Sequence, residues 1–137
     1  MKSATLYTDG GSRGNPGPAG IGVVLTLSDG QKHTHSAYIG DKTNNQAEYM
    51  ALIEGIRLAK LHKVESLNCF LDSELVVQQL NGKYKVKNAG IKELFTIVQK
   101  ELNAFDSVRF AHVKRANNAE ADALVNQALD AQKPHRS

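Results

Sequence analysis

Four acidic side chains occupy positions where an isolated surface charge is not expected: Asp9, Glu48, Asp72 and Asp122. Asp9 and Asp72 each follow a short strand-like run, and Glu48 and Asp122 head the apolar stripes of two helix-forming segments. Carboxylates are rarely buried unless they are paired or bound to something, and no matching row of basic residues accompanies these four. If they converge, a divalent cation would offset their repulsion, and hard oxygen ligands select Mg²⁺ or Mn²⁺ over Zn²⁺.

Three of these acids also have a purely structural interpretation. Asp9 opens a stretch rich in Gly and Pro, so on its own it is first interpreted as a turn residue. Glu48 is spaced to form a capping box with Asn45, and Asp72 is placed to be the N-cap of the next helix. Asp122 has no such alternative, because it lies one turn into the last helix on the side of the apolar residues.

The spacing of apolar residues changes along the chain, and this change predicts the strands and helices that must position these acids. Residues 3–9, "GIGVVLTLSD" and "KHTHSAYIG" read as three successive strands, and the Ser28-Asp29-Gly30 turn separates the last two. After them a long helical period begins, and shorter strands alternate with helices. The order βββαβααβα predicts an α/β fold with a five-stranded mixed sheet and helices on both faces.

Length and composition are those of one ordinary globular domain. We expect a single domain over 1–137, with 131–137 as a frayed tail. The chain is 41% hydrophobic and 23% charged, and its net charge of +3 permits an anionic partner without arguing for one. No apolar stretch in the sequence is long enough to cross a bilayer, and we expect no signal peptide, since a strand-like segment starts within a few residues of Met1. Cys69 is the only cysteine, so we interpret it as a core residue and expect a reducing, cytoplasmic setting.

The histidines do not form a competing zinc site in the sequence. His33 and His35 alternate on one face of a predicted edge hairpin, where we expect them to face solvent. His62 ends a helix and His135 lies in the tail. This scatter does not match the ligand spacing of zinc sites.

Four stretches, taken together, resemble ribonuclease H type 1: "YTDGGSRGNPGPAGIGVVL", "TNNQAEYMALIEGI", "LDSELVVQQL" and "VKRANNAEADALVNQAL". The resemblance spans roughly residues 4–130 and is closest in style to the compact archaeal-type and bacterial members. It implies the ribonuclease H fold and an endonuclease that cuts the RNA strand of RNA/DNA hybrids, leaving a 5′-phosphate and a 3′-hydroxyl. It also implies that two Mg²⁺ or Mn²⁺ ions act with substrate bound, on the catalytic, metal-binding carboxylates Asp9, Glu48, Asp72 and Asp122.

The resemblance further implies contacts to the substrate. Residues matching family positions that line the RNA-strand groove and read the 2′-hydroxyls are Gly10, Gly11, Asn15, Asn44 and Asn45. Thr43 matches a residue that grips a DNA phosphate, and N-capping of the helix is a compatible second role. The expected partner is therefore an RNA/DNA hybrid, with no membrane and no obligate protein partner evident.

Three features depart from the family pattern. No histidine lies in the loop before the last acid; Arg115 is the candidate to assist turnover instead, and His112 falls inside the strand and is not assigned that role. The basic helical protrusion of some relatives is missing, and the lysine-rich segment 83–87 is either a reduced electrostatic grip or a solvated run. Glu74 stands where some relatives carry a glutamine that faces the substrate, so its charge would weaken hybrid binding or alter the duplexes accepted.

Three other functions fit the same residues less well. A catalytically weak nucleic-acid-binding domain of this fold predicts a damaged acid set, whereas all four acids are present. A structural or partner-binding domain leaves Glu48 and Asp122 unexplained. Transposase-like and resolvase-like nucleases share the general architecture, but "TDGGSRGNPG" and "TNNQAE" favour the ribonuclease branch. The metal used in the cell, activity on double-stranded RNA and the oligomeric state stay open at this point.

Overall fold

The computed structural model describes residues 2–132, and the structural statements below concern that part of the chain. Its strands are β1 (Ser3–Ser12), β2 (Gly17–Leu27), β3 (Lys32–Lys42), β4 (Ser66–Leu71) and β5 (Ser107–His112). Its helices are α1 (Asn44–Leu61), α2 (Glu74–Leu80), α3 (Ala89–Leu102) and α4 (Ala119–Ala131), the last preceded by a short 3-10 turn, Arg115–Asn118. The predicted order βββαβααβα is confirmed.

The end of the chain differs slightly from the expectation. Ala131 still belongs to α4, and Gln132 is the C-cap of that helix. The rest of the predicted tail, including His135, lies outside the described residues. Within residues 2–132, no helix combines the length and the apolarity that crossing a membrane requires.

The five strands form one mixed sheet in the order β3-β2-β1-β4-β5. The β1–β2 and β2–β3 pairs are antiparallel, whereas β4 is parallel to both β1 and β5. The β1–β4 ladder ends at the pair Tyr7 and Phe70. Beyond that pair the carboxyl ends of two parallel strands separate, which is where sites form in open α/β sheets.

Helices cover both faces of the sheet, as predicted. The main core lies between one face and helices α1 and α3, and it includes Leu6, Leu25 and Ile56. On the other face α4 packs against β2, where the backbone of Ala121 occupies the space that a Cβ on Gly22 would need. The missing side chain therefore lets α4 approach the sheet closely, and α4 carries Asp122.

Helix α1 begins with a capping box, although not the predicted one. Thr43 Oγ1 accepts a hydrogen bond from the Gln46 backbone N–H at 3.1 Å, and Gln46 Oε1 accepts one from the Thr43 backbone N–H at 2.9 Å. The predicted box of Asn45 with Glu48 is wrong, because the helix starts earlier in the chain. Glu48 consequently falls in the second turn and heads the buried stripe that continues through Leu52.

The sequence interpretation of Cys69 is confirmed, whereas that of His33 is wrong. Cys69 is a free, buried core residue as expected, and burial raises the pKa of its thiol. The expectation that His33 faces solvent is wrong, since it is half-buried and its ring stacks on that of His62 with 3.9 Å between centroids. His33 lies on the β3 face that the end of α1 approaches, whereas His35 is exposed as expected.

Candidate active site

Asp9 lies inside β1, and the prediction that it ends the strand is wrong. The antiparallel ladder with β2 continues past it to the pair Ser12 and Ala19, so the turn begins only afterwards. Asp9 is opposite Gly22 in that ladder, and it is two residues beyond the last parallel pair with β4. Asp9 is 8% exposed and paired within the ladder, so it is not a turn residue.

Glu48 reaches the same place from α1. Its Oε1 accepts a hydrogen bond from the Gly10 backbone N–H at 2.8 Å, and the residue is 6% exposed. A Cβ on Gly10 would collide with the backbone of Ala47, so this glycine lets the start of α1 lie directly against β1. The close approach at Gly10 thus serves α1 rather than a ligand, whereas Gly11 has only ordinary contacts around its missing side chain.

Asp72 follows β4 and completes a tight group of carboxylates. The N-cap of α2 is Ser73, whose Oγ accepts from the Val76 backbone N–H at 3.3 Å, so the interpretation of Asp72 as the N-cap is wrong. One carboxylate oxygen from each of Asp9, Glu48 and Asp72 lies within 4.8 Å of the other two. These three residues come from β1, α1 and the end of β4, as their places in the sequence suggested.

Asp122 occupies the wall of the same cleft. It is half-buried at the start of α4, and Val125 and Leu129 on its helix are buried, as predicted. Its carboxylate does not belong to the group of three. It lies close enough to contribute to the raised pKa of Asp9. The structure therefore brings three of the predicted acids into one cluster and places the fourth beside it.

The electrostatics of this cluster are those of acids without cationic partners. Burial is the largest cause that raises the pKa of Asp9 to about 7; the nearby side chains of Asp72 and Asp122 add to the rise, and the interaction with the Glu48 side chain opposes it. Burial and Asp9 hold the pKa of Glu48 well above its usual value. None of the ion pairs in residues 2–132 involves any of the four acids.

The donor set fits a hard divalent cation. All the converging atoms are carboxylate oxygens, which suit Mg²⁺ and Mn²⁺ and not the His and Cys preference of structural zinc. Glu48 Oε2 is buried, and no described residue donates a hydrogen bond to it. A cation would relieve both the mutual repulsion and this unsatisfied oxygen.

The predicted substrate residues lie along two adjoining depressions. A cleft of about 430 Å³ is lined by the four acids and also by Gly10, Gly11, Asn44, Asn45 and Arg115. A second groove of about 310 Å³ shares the two adjacent asparagines and adds Asn15, Thr43 and Asn88. The two depressions form a continuous polar surface that leads away from the carboxylates.

Hydrogen bonds fix the shape of this surface. Asn15 Oδ1 accepts from the Asn44 backbone N–H at 3.0 Å, and Asn44 Oδ1 accepts from the Ser12 backbone N–H at 2.9 Å. These bonds tie the β1–β2 loop to the first residue of α1. Arg115 lies on the 3-10 turn, is exposed and lines the same cleft. It is the cationic residue nearest in sequence to Asp122.

One residue of the site was missed by the sequence reasoning. Asn118 is buried, and its Nδ2 donates to the Thr8 carbonyl oxygen at 3.0 Å and to Asp72 Oδ2 at 3.1 Å. The only sequence signal is its place one helical turn before Asp122 in "RANNAEAD". Its partner Asp72 is 46 residues away, and only the fold brings the two together.

Comparison with known proteins identifies the class to which this site belongs. A family model described as reverse transcriptase-like matches residues 7–128. A ribonuclease HI of Halobacterium salinarum is 42% identical over 90% of this chain, and a bifunctional protein of Mycobacterium tuberculosis is 43% identical over 92% of it. The chain spans 63% of the length of the first relative and 35% of the second.

Solved structures agree with these relatives. The crystal structure of the RNase H1 from Halobacterium salinarum superposes with a TM-score of 0.91 at 40% identity, covering 94% of this chain and 98% of that one. LC11-RNase H1, solved in complex with an RNA/DNA hybrid, gives a TM-score of 0.87 at 45% identity, covering 93% and 97%. The chain belongs to the ribonuclease H family, and the predicted fold is confirmed.

Proposed function

We propose that this chain is a metal-dependent endoribonuclease that hydrolyses the RNA strand of RNA/DNA hybrids as a single ribonuclease H domain. The observation that carries the proposal is the group of three carboxylates within 4.8 Å of one another, unpaired by any described cation, on the wall of a polar cleft. Family membership and the hybrid complex of LC11-RNase H1 support the choice of substrate.

Each acid has a defined task in the proposed reaction. Asp9, Glu48, Asp72 and Asp122 would hold two Mg²⁺ or Mn²⁺ ions when substrate is bound, and Mg²⁺ is our choice because it keeps several water molecules and accepts phosphate oxygens. Bound ions at such sites activate water and stabilise the leaving oxygen of an in-line displacement, which would give 5′-phosphate and 3′-hydroxyl ends. The Gly10 N–H holds Glu48 in the orientation that this task requires.

Recognition of the RNA strand would fall to the polar surface beside the acids. Amide groups both donate and accept, so Asn15, Asn44 and Asn45 are suited to the 2′-hydroxyls that distinguish RNA from DNA. The main chain at Gly10 and Gly11 lines the same cleft.

Recognition of the DNA strand and release of product would fall to the neighbouring groove and the cleft rim. Thr43, whose side chain caps α1, borders the groove proposed for a DNA phosphate. Arg115 provides an exposed positive charge beside the cleft, where it would assist the departure of the cleaved strand.

The charges around the site would tune binding rather than chemistry. The lysine-rich segment 83–87 carries exposed lysines next to α2 and would add a salt-dependent grip on the hybrid backbone. Glu74, exposed at the first residue of α2, would oppose that grip. We also propose a cytoplasmic location, which the free, buried Cys69 supports.

The proposal is tested by metal titration on three matched duplexes, RNA/DNA, RNA/RNA and DNA/DNA, each labelled on one strand. We expect Mg²⁺-dependent cleavage of the RNA in the hybrid, little cleavage of DNA/DNA, and loss of all cleavage with a chelator. The RNA/RNA duplex decides whether double-stranded RNA is also a substrate. No hybrid cleavage at any concentration of Mg²⁺ or Mn²⁺ would overturn the proposal.

A further inference from the structure

We propose that Asn118 is a positioning residue for the metal site, which holds the Asp72 carboxylate and the end of β1 in the arrangement that binds the cation. This inference rests on the proposed function. Asn118 is 1% exposed, and its Nδ2 is 3.0 Å from the Thr8 carbonyl oxygen and 3.1 Å from Asp72 Oδ2. A single amide group therefore contacts both the acid Asp72 and the residue before the acid Asp9.

The place of these contacts in the sheet explains why they are needed. Backbone pairing between β1 and β4 ends at Tyr7 and Phe70, so the two strands are no longer joined by ladder bonds where their acids begin. Asn118 bridges that gap by bonding to Thr8 on one strand and to Asp72 just past the other. Apart from this bridge, no hydrogen bond among the described residues joins Thr8 or Asp9 to Asp72.

The position of Asn118 in its own helix argues for the same role. It is the N-cap residue of α4, a place where an asparagine side chain ordinarily accepts a hydrogen bond from the first turn. Here no side-chain capping bond forms, because the amide is directed to the sheet instead. Since α4 also carries Asp122, Asn118 links three of the four elements that supply acids.

The chemistry of the amide suits a cation site. An Asn N–H₂ group orients a carboxylate without adding positive charge, whereas a lysine or arginine at this position would neutralise Asp72 and compete with the metal ion. The Oδ1 of Asn118 is buried and receives no hydrogen bond from the described residues. A buried oxygen without a partner lowers the stability of the fold, so the two donor contacts of the amide, rather than stability, account for an asparagine at this position.

The test compares Asn118→Ala with Asn117→Ala, a matched control on the neighbouring, exposed asparagine of the same turn. Two readouts are measured: the Mg²⁺ concentration for half-maximal hybrid cleavage, and the rise in melting temperature that Mg²⁺ alone produces. We expect Asn118→Ala to need about 10- to 100-fold more Mg²⁺ in both, as for other residues that orient metal ligands. The KM for the hybrid at saturating Mg²⁺ should change little, and the control should match wild type.

A purely structural role would lower the melting temperature without changing the Mg²⁺ requirement, and that result would overturn the inference. If Asn118→Ala fails to fold, Asn118→Ser decides, because its shorter hydroxyl has a single donor hydrogen and cannot make both amide contacts; a Mg²⁺ requirement equal to that of wild type again overturns the inference. Failure of the proposed function can be distinguished from failure of this inference. If the wild-type protein neither cleaves the hybrid nor is stabilised by Mg²⁺, the proposed function fails. If the wild-type protein does both and the Asn118 variants have the same Mg²⁺ requirement, only the role of Asn118 is removed.

Discussion

Two groups of carboxylates in this molecule have opposite surroundings. On the surface, Glu101 of α3 lies between two cations of α1, with its oxygens 2.6 Å from Arg57 Nε and 2.8 Å from Lys60 Nζ. These partners lower the pKa of Glu101. In the cleft, Asp9 and Glu48 are buried beside further acids and have no cationic partner among the described residues, and their pKa values are raised.

The comparison distinguishes an acid whose negative charge stabilises the fold from acids whose negative charge destabilises it. Glu101 gains from being charged in the folded state, because cations are already in place. Asp9 and Glu48 lose from being charged there, since burial removes water and their neighbours repel them. A cluster that costs stability at neutral pH needs something outside the chain to offset the cost, and under the proposed function a divalent cation would do so.

The strongest test of this contrast is Asp9→Asn. We expect it to abolish hybrid cleavage, by roughly a thousandfold or more, because several kcal/mol of metal-dependent transition-state stabilisation is lost. We also expect the metal-free protein to be more stable than wild type at pH 8, because the replacement removes a buried charge. Single-turnover cleavage and urea unfolding in a chelator measure the two effects, and hybrid binding should survive.

Asp106→Asn is the matched control for that variant. Asp106 is exposed and directly precedes β5, so it lies at the end of the parallel strands opposite the cleft. It should cleave as wild type does. Unchanged turnover in Asp9→Asn would remove the cluster from the mechanism, and a destabilised Asp9→Asn would show that the acid contributes to folding as Glu101 does.

The second prediction concerns the stability of the metal-free protein as pH changes. The folded pKa of Asp9 is about 7, above its usual 3.8, so between these values the folded state binds the extra proton. The free energy of unfolding should therefore fall as pH rises from about 4 to 7, by a few kcal/mol at roughly 1.4 kcal/mol per pKa unit. Glu48 contributes with the same sign.

Urea denaturation in a chelator, at constant ionic strength and several pH values, measures this slope. Saturating Mg²⁺ should reduce it, because the cation favours the charged carboxylates. Asp9→Asn should flatten it in the absence of metal. A stability that rises with pH over this range in the wild type would contradict the assignment of unpaired acids.

Much of the site could be predicted because it depends on patterns along the chain. The apolar runs before Asp9 and Asp72 located two strands, and helical spacing put Glu48 and Asp122 on inward faces. Parallel strands then bring their carboxyl ends to one edge of the sheet. The placement of the individual acids needed only the hydrophobic period and the order of elements, whereas their assignment to one metal site was implied by the resemblance to ribonuclease H.

The remainder depended on contacts between distant segments. The choice of Thr43 over Asn45 as the start of a capping box is a matter of one or two residues, and such boundaries are weakly determined by local sequence. The link from Asn118 to Asp72 and the stacking of His33 are tertiary contacts. No spacing rule within a single element reports them.

A third, smaller effect concerns Arg115, an exposed cation that lines the cleft. Arg115 is exposed and forms none of the ion pairs found in residues 2–132, so it should not neutralise the acids. We expect Arg115→Ala to lower multiple-turnover cleavage about fivefold, since one exposed charge interaction contributes about 1 kcal/mol. Single-turnover cleavage should change less, because product release is not measured there.

Arg109→Ala, which removes an exposed arginine on β5, is the control for loss of one positive charge. It should leave both rates unchanged. If Arg115→Ala instead steepens the fall of metal-free stability with pH, Arg115 does stabilise the acids, and the contrast between the two carboxylate groups is weakened. An Arg115→Ala variant with wild-type turnover would return this residue to the surface charges.

The smallest effect is expected at the surface network itself. Glu101→Gln should cost less than about 1 kcal/mol of unfolding free energy at pH 7, and the difference should shrink in about 1 M salt, because exposed ion pairs are screened. The pKa of Glu101 is lowered, so the contribution of its charge to the free energy of unfolding is complete above its usual pKa of 4.5. That contribution is lost as pH falls through the folded pKa, which is opposite in sign to Asp9.

Urea unfolding measures the effect of Glu101→Gln against that of Glu93→Gln, an exposed control on the same helix. If Glu101→Gln changed the free energy of unfolding by more than Asp9→Asn does, the expected order of the two effects would be reversed. The α1–α3 ion pairs, rather than the cleft, would then be the place where carboxylates matter most to this fold.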